Sequence, residues 1–260
     1  MTNILNIVII GAGNVGTRLS FALRDAGCKI VQLAGRREAA VKALAEKLDT
    51  AYTLSYNALL KGQDLYLLAL PDSAIEEVLP QLGLTDELLV HTSGSLPMGI
   101  LSPYSMNTGV FYPLQTFSTG RKIAISEVPF FIEANRIDNE DALMQLGKKL
   151  SSNVSVADSV QRQQMHIAAV FASNFSNHMY DLARQLMEEH GFDFKLLEPL
   201  IMETAMKAMD RGPAIAQTGP AARKDLNVIE KHLELLNNNP SARELYRRIS
   251  QSIMDQTESE

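Results

Sequence analysis

The sequence predicts an α/β protein: a mostly parallel sheet covered by helices, followed by an all-helical domain. Three observations predict it. Short apolar, β-rich runs alternate with helical patterns over residues 1–157. A glycine-rich turn, Gly11-Ala12-Gly13-Asn14-Val15-Gly16, stands between the first run and the first helical pattern. After Asp158 the strand signals vanish and the remaining segments read as helix. The domain boundary is therefore expected near residue 157, with residues 1–157 and 158–260 on either side.

Leu5 to Ile10 is the first strand, a continuous apolar run. Thr17 to Ala26 reads as a helix closed by Gly27, and Lys29 to Ala34 as the second strand. Glu38 to Leu48 is rich in Ala, Glu, Lys and Leu, all good helix formers. Asp64 to Leu70 is a buried strand, and Ser73 to Leu82 a helix whose Ser73-x-x-Glu76 spells a capping box. Glu87 to His91 is the next strand. Val110-Phe111 and Phe130 to Glu133 read as shorter strands, Asn139 to Leu150 as a helix, and Val154 to Ala157 as the last strand. Ser159 to His190 fits one helix of roughly 48 Å at ~1.5 Å per residue, stopped by Gly191. Lys195 to Met209, Ala221 to Asn237 and Ala242 to Met254 follow, separated by Gly-Pro or Asn-Pro breaks. The tail after Met254 reads as disordered.

Composition removes several function classes. Of 260 residues, 46% are apolar, enough for a sizeable core. The net charge of −6, with both signs interspersed, argues against nucleic acid or an anionic membrane as partner. A single cysteine, Cys28, rules out an intrachain disulfide and points to a cytoplasmic protein; its place between helix and strand reads as packing. No Cys/His cluster has metal spacing. The apolar run Ile7 to Ile10 is too short for a signal peptide or a membrane span.

Residues Gly11 to Gly16 fit G-x-G-x-x-G, placed after a strand and at the opening of a helix. Gly11 permits the tight turn, Gly13 lets the backbone approach a pyrophosphate, and Gly16 lets helix and strand pack; the helix N-terminus favours the phosphate charge. Ala12, Asn14 and Val15 complete this loop, which predicts a Rossmann-type dinucleotide site. NAD sites usually carry Asp or Glu at the end of the second strand. Here Gly35-Arg36-Arg37 stands there. A guanidinium binds a 2′-phosphate bidentately where a carboxylate would repel it, so the cofactor is expected to be NADP(H), with Arg36 on the phosphate and Arg37 against the adenine. Leu70-Pro71-Asp72 closes a strand and should border the cofactor, because ligands in such sheets lie beyond the strands' carboxyl ends.

His91-Thr92-Ser93-Gly94-Ser95 also ends a strand, and Ser93 and Ser95 are candidates for positioning a substrate. Tyr112-Pro113-Leu114-Gln115-Thr116 follows Val110-Phe111 and offers a phenol, an amide and a hydroxyl. On the long helix, at about 100° per residue, His166, Val170, Asn174, Asn177, His178 and Asp181 fall on one stripe. Ile167, Phe171, Phe175, Met179, Leu182 and Leu186 fall on another face, expected to be core. His166 is the candidate acid or base, since imidazole generally titrates near neutral pH. Asn174 would orient a carbonyl or imine. Thr218 to Asp225 reads as a helix start with Pro220 at its first position, which sets Arg223 against the helix dipole and suggests an anionic ligand. Each of these has a plain alternative: a ligand-free glycine turn, two solvated arginines, a Ser/Thr turn, or a polar stripe facing solvent or a partner chain.

On GAGNVG, LPDSAI, HTSGS, YPLQTF, Val170-Phe171-Ala172-Ser173-Asn174 and TGPAARKD, the chain resembles an uncharacterised NADP-oxidoreductase-like family. Its members join a Rossmann-like N-terminal domain to a helical C-terminal domain of unassigned function, and the resemblance covers nearly the whole chain. More distantly the chain is similar to the 6-phosphogluconate dehydrogenase-like superfamily, with its β-hydroxyacid dehydrogenases and pyrroline-5-carboxylate reductases. These relatives imply hydride transfer at a nicotinamide and homodimers built through the helical domain. Two departures stand out. β-Hydroxyacid dehydrogenases carry a catalytic lysine four residues before the asparagine matched by Asn174, and here that position is Val170. Tyr112 stands where near relatives often have His before Pro. The expected function is an NADP-dependent oxidoreductase acting on a small carbonyl, imine or alcohol. The alternative is a protein that senses NADP(H) or a metabolite without turnover, which the missing lysine favours. Apolar helix faces and methionines in the C-terminal half lead us to expect a homodimer.

Overall fold

The computed structural model describes residues 4–118, 120–121 and 123–256. Its centre is β1 (Asn6–Ile10), in which Ile7, Val8, Ile9 and Ile10 have no exposed surface. The run is continuously apolar because both faces of the strand are covered. Ile7 and Ile9 pack on one side with Leu19 and Leu23; Val8 and Ile10 pack on the other with Ile75 and Val78. The period-two alternation of side chains thus feeds two cores.

The strands that follow are β2 (Lys29–Ala34), β3 (Ala51–Thr53), β4 (Leu65–Leu68), β5 (Leu88–His91), β6 (Asn107–Pro113), β7 (Phe130–Ala134) and β8 (Val154–Val156). They form one sheet in the order β3-β2-β1-β4-β5-β6-β7-β8, parallel except for the antiparallel pair β6–β7. Four helices accompany these strands: α1 (Asn14–Asp25), α2 (Glu38–Leu48), α3 (Asp72–Val78) and α4 (Ile137–Leu150). The chain runs outward from β1 through β2 to β3, then returns to place β4 on the other side of β1. That reversal opens a crevice beyond the carboxyl ends of β1 and β4, where ligands of doubly wound sheets sit.

Three local features differ from the sequence reading. β3 was not foreseen; at three residues on a sheet edge it is too short to show a period. β6 runs through Tyr112, which places that phenol on a strand rather than in the loop after one. The Ser73/Glu76 capping box does not form: α3 begins at Asp72 behind Pro71, so Ser73 already lies inside the helix.

The chain falls into two compact units, Met1–Asn174 and Phe175–Glu260. The division lies inside the long helical run. That run opens with α5 (Ser159–Ala169), where Asp158 accepts from Gln161 N and the Gln161 side chain accepts from Asp158 N, a complete capping box. A π-helical turn, Val170–Phe175, interrupts it before α6 (Ser176–Glu189). The π turn breaks the 100° register, so the predicted polar stripe does not continue past Asn174.

The second unit continues with α7 (Glu198–Arg211), α8 (Pro213–Ala216), α9 (Leu226–Leu235) and α10 (Pro240–Gln256). The helix face expected to be core is not core in this chain. Ile167, Phe171 and Phe175 are exposed, and neither α6 nor α7 has a buried residue. Met179, Leu182 and Leu186 instead line an apolar cavity of about 370 Å³ within the second unit. The helix predicted from Thr218 starts later: α9 begins at Leu226, with the Asp225 side chain accepting from Val228 N at 3.3 Å. Lys224, at φ +53°, is left-handed and stops any helix from running through it. Arg223 is therefore an exposed turn residue, and the dipole argument for it falls away. Asp255 and Gln256 of the tail are helical; residues 257–260 lie outside the described residues.

Candidate functional site

The glycine turn is built from two glycines the fold requires and one it does not. Gly11 has φ +117°, and a Cβ there would lie 2.2 Å from the Ala69 carbonyl oxygen. Its N–H donates to Ala34 O at 2.8 Å, which ties the turn to β2. A Cβ on Gly16 would lie 2.0 Å from Gly11 O, so helix and turn touch. Gly13 is different. It caps α1 with φ −83° and ψ −170°, a conformation open to any residue, and a Cβ on it would meet nothing within 4 Å. Gly13, Asn14 and Val15 border a cavity of about 690 Å³. The first turn of α1 contains no acidic residue, and the opening N–H groups of a helix have no partner within it. Ala12 lies in the turn and packs against the core. The Asn14 amide donates to Phe117 O at 2.9 Å and braces the loop after β6 against the turn.

Arg36 and Arg37 follow the end of β2, beside the turn that Gly11 ties to that strand. Arg36 pairs with Glu77 at 3.0 Å, and both side chains are about 60% exposed. The carboxylate that answers this arginine thus comes from α3. Arg37 caps α2 and is exposed.

Across the cavity lie the ends of β4, β5 and β6. Leu70, Pro71 and Asp72 border it, as do Ser93, Gly94 and Tyr112. The Ser93 hydroxyl accepts from the N–H groups of Ser95 and Leu96 at 3.1 and 3.0 Å, and the Ser95 hydroxyl donates to the Asp72 carboxylate. These hydroxyls shape the turn; Ser95 itself does not border the cavity. His91 is fully buried, and its Nδ1 accepts from Ser93 N at 3.1 Å. Burial, aided by the charge of Arg162, pulls its pKa down to about 4, so it is a neutral structural imidazole.

His166 reaches the same cavity from α5. Its Nδ1 lies 3.1 Å from the Tyr112 hydroxyl, with the two rings nearly perpendicular at 76°. Gly94 lets the main chain fit against both: a Cβ there would lie 2.7 Å from His166 Nδ1 and 2.7 Å from Tyr112 Cζ. Burial pushes the Tyr112 phenol up, against a smaller lowering by Arg162. One turn before His166, Arg162 is fully buried. It pairs with Glu133 of β7 and donates to Leu96 O at 2.6 Å, which pins α5 to the sheet. Sequence reading did not single out Arg162; its signal was a charged residue four positions before His166, on the helix face that meets the sheet. Asn174 and Val170 also border the cavity, from the π turn.

Nine of the residues predicted from sequence therefore surround one cavity: Gly13, Asn14, Val15, Leu70, Pro71, Asp72, Ser93, His166 and Asn174. Gly11, Ala12 and Gly16 frame the turn, and Ser95 stands behind Asp72. Arg36 and Arg37 lie beyond the cavity's lining, and Arg223 belongs to the second unit. Asn177, His178 and Asp181 line a separate polar pocket of the second unit.

Residues 2–116 match a Rossmann-like domain, and residues 128–253 match DUF2520, a domain of unknown function. A candidate NADP oxidoreductase from Bacteroides fragilis is 42% identical, covers 97% of this chain and 98% of its own, and superposes with a TM-score of 0.91. The chain belongs to this NADP-oxidoreductase-like family. A Thermotoga maritima protein is 24% identical with a TM-score of 0.73, over 97% of this chain and 98% of that one. A reductive aminase from Aspergillus terreus, solved with NADPH, cyclohexanone and ethyl levulinate among its ligands, is 14% identical with a TM-score of 0.70, over 99% and 95%. At these two identities the likeness is one of fold. No curated protein matches the chain.

Proposed function

We propose that this protein is an NADP(H)-dependent oxidoreductase acting on a small carbonyl, imine or alcohol held in the cavity beyond β1, β4, β5 and β6. Gly13 carries the reading. Neither its dihedral angles nor its neighbours require glycine, and its missing side chain leaves the main chain bare at a helix N-terminus on the cavity wall. A pyrophosphate is the ligand that such a bare, positively polarised turn suits. The N–H groups of Gly13, Asn14 and Val15 would hold it. Arg36 would exchange its exposed partner Glu77 for a 2′-phosphate, a small loss because surface ion pairs contribute only about 0–1 kcal/mol. Arg37 would cover the adenine, and Leu70-Pro71-Asp72 would border the nicotinamide. The NADPH held by the Aspergillus enzyme and the description of the Bacteroides protein as a candidate NADP oxidoreductase support the same reading.

The cofactor, when bound, would supply a hydride to a substrate carbon or take one from it. The chain's own residues then handle the proton and the orientation. Among the described residues, the ionisable side chains bordering the cavity are Asp72, Tyr112 and His166, and Asp72 is engaged by Ser95. With Val170 in place of a lysine, His166 is the residue that holds the proton for the substrate's oxygen or nitrogen. Asn174 orients that atom. Ser93 and Gly94 close the wall behind it.

In our reading the working protein is a cytoplasmic homodimer joined through its helical part. α7 carries Leu200, Met202, Met206 and Met209 with exposures between 57% and 82%, an apolar surface that a second copy would cover. No described helix is long and apolar enough to cross a membrane.

Titration with NADPH and NADH tests the cofactor assignment. NADPH should bind at least tenfold more tightly, and Arg36→Ala should remove most of that difference. Equal binding of the two, or an Arg36→Ala protein that keeps the preference, would contradict it. A panel of carbonyls and imines, followed by NADPH oxidation, separates an enzyme from a sensor. Tight NADPH binding with no oxidation by any compound would favour the sensor.

A further inference from the structure

The Tyr112 phenol stands beside the His166 imidazole on the cavity wall. The residue is 7% exposed, and its hydroxyl has one hydrogen-bond partner among the described residues, His166 Nδ1 at 3.1 Å. A buried hydroxyl without an acceptor is costly, which favours the phenol as donor to that nitrogen over the reverse. A neutral imidazole whose Nδ1 accepts must carry its own proton on Nε2. The pair is also held in place. Gly94 has no room for a side chain between its own main chain and the two rings. Arg162, buried one turn earlier on α5, fixes that helix to Glu133 on β7 and to Leu96 O. Among the described residues the Arg162 Nε has no hydrogen-bond partner, so part of this cation's charge is left unanswered there.

We infer that Tyr112 is a relay residue that loads His166: its phenol fixes the imidazole as the Nε2–H tautomer and supplies the proton that replaces the one His166 gives away. The inference rests on the oxidoreductase reading above and assigns the source of its proton. In the reducing direction the substrate carbon would take a hydride from the reduced cofactor, and the C=O or C=N π pair would move to the heteroatom. The His166 Nε2–H bond breaks as the new O–H or N–H bond forms. The Tyr112 O–H bond breaks as Nδ1–H forms, which leaves a neutral imidazole and a phenolate. Water then protonates Nε2 as the Nδ1 proton returns to the phenolate, which restores the Nε2–H imidazole and the phenol, so each turnover consumes one reduced nicotinamide and one proton. Groups near the relay fit this sequence. Burial keeps the phenol protonated before reaction, and the Arg162 cation counters the charge of the phenolate after it. Asp72 is tied to Ser95, Glu133 to Arg162 and Ser159, and His91 stays neutral.

The decisive observation is the nitrogen spectrum of the cofactor-free full chain, labelled with 15N-histidine, at about pH 8, where imidazoles are generally neutral. His166→Gln identifies the signal among the five histidines. Wild type should show a protonated Nε2 and a bare Nδ1 at His166. Tyr112→Phe should turn this into a mixture of tautomers while leaving NADPH affinity within twofold, and should lower turnover at least tenfold on any substrate the panel finds. A His166 protonated on Nδ1 in wild type overturns the inference. So does a Tyr112→Phe protein with the wild-type spectrum or full turnover, and so does a protein that binds NADPH and never oxidises it. The spectrum is read without cofactor, so failure of NADPH to bind overturns the functional reading while leaving the tautomer result intact.

Discussion

Three residues at or near the strand ends differ in what they ask of the fold. His91 is buried and neutral, and its pKa is about 4 in the folded protein against about 6.5 for a free imidazole. Between those values the unfolded chain takes up a proton that the folded one refuses. The contribution is complete above pH 6.5 or so and is lost as pH falls toward 4, on the order of 3 kcal/mol. Denaturant unfolding at pH 7 and pH 4.5 should show this loss in wild type and much less of it in His91→Gln; an equal loss in both would contradict the assignment. Gly16 makes a steric demand instead. A Cβ would strike the Gly11 carbonyl oxygen, a backbone atom that cannot swing away. Gly16→Ala should therefore cost at least about 2–3 kcal/mol in the same unfolding measurement. Gly13 makes no demand on the folded chain at all, and that is what marks it.

At the scale of elements, α5 matters because it carries His166 and is anchored by a buried ion pair. The Arg162 side chain is fully buried and that of Glu133 is 15% exposed. Removing one partner strands the other, so Arg162→Met should destabilise the protein by about 3–5 kcal/mol, and Arg162→Met with Glu133→Leu should recover much of it. Paired denaturation curves check both. The sheet was legible in the sequence because its central strands are apolar on both faces, and continuous runs such as Ile7 to Ile10 announce that. The glycine turn was legible because the motif sits where strand meets helix. The Tyr112–His166 pair was not legible as a pair. The partners lie 54 residues apart, and no local period links a strand residue to a helix residue. The polar stripe was read too far because the 100° rule assumes an α-helix, and the Val170–Phe175 π turn violates it. Arg223 was misplaced because Gly-Pro-Ala-Ala looks like a helix start, whereas the left-handed Lys224 delays the helix to Leu226.

At the scale of the whole molecule, the contrast between the two units carries the argument. The sheet unit buries its apolar residues in two cores of its own, while the helical unit keeps a small cluster of Ala221, Ile229 and Leu233 and leaves α7 exposed. A second copy is the partner we expect there. Sedimentation should return a dimer at micromolar concentration, and Met206→Glu with Leu200→Glu should give a monomer; an unchanged mass would contradict that face. The central claim is the dinucleotide on the glycine turn, and Gly13→Val tests it most directly. The variant side chain meets no protein atom within 4 Å at its first carbon and needs no unusual backbone. It should melt within a degree or two of wild type and bind NADPH at least a hundredfold more weakly. Wild-type NADPH affinity in a folded Gly13→Val protein would contradict the account.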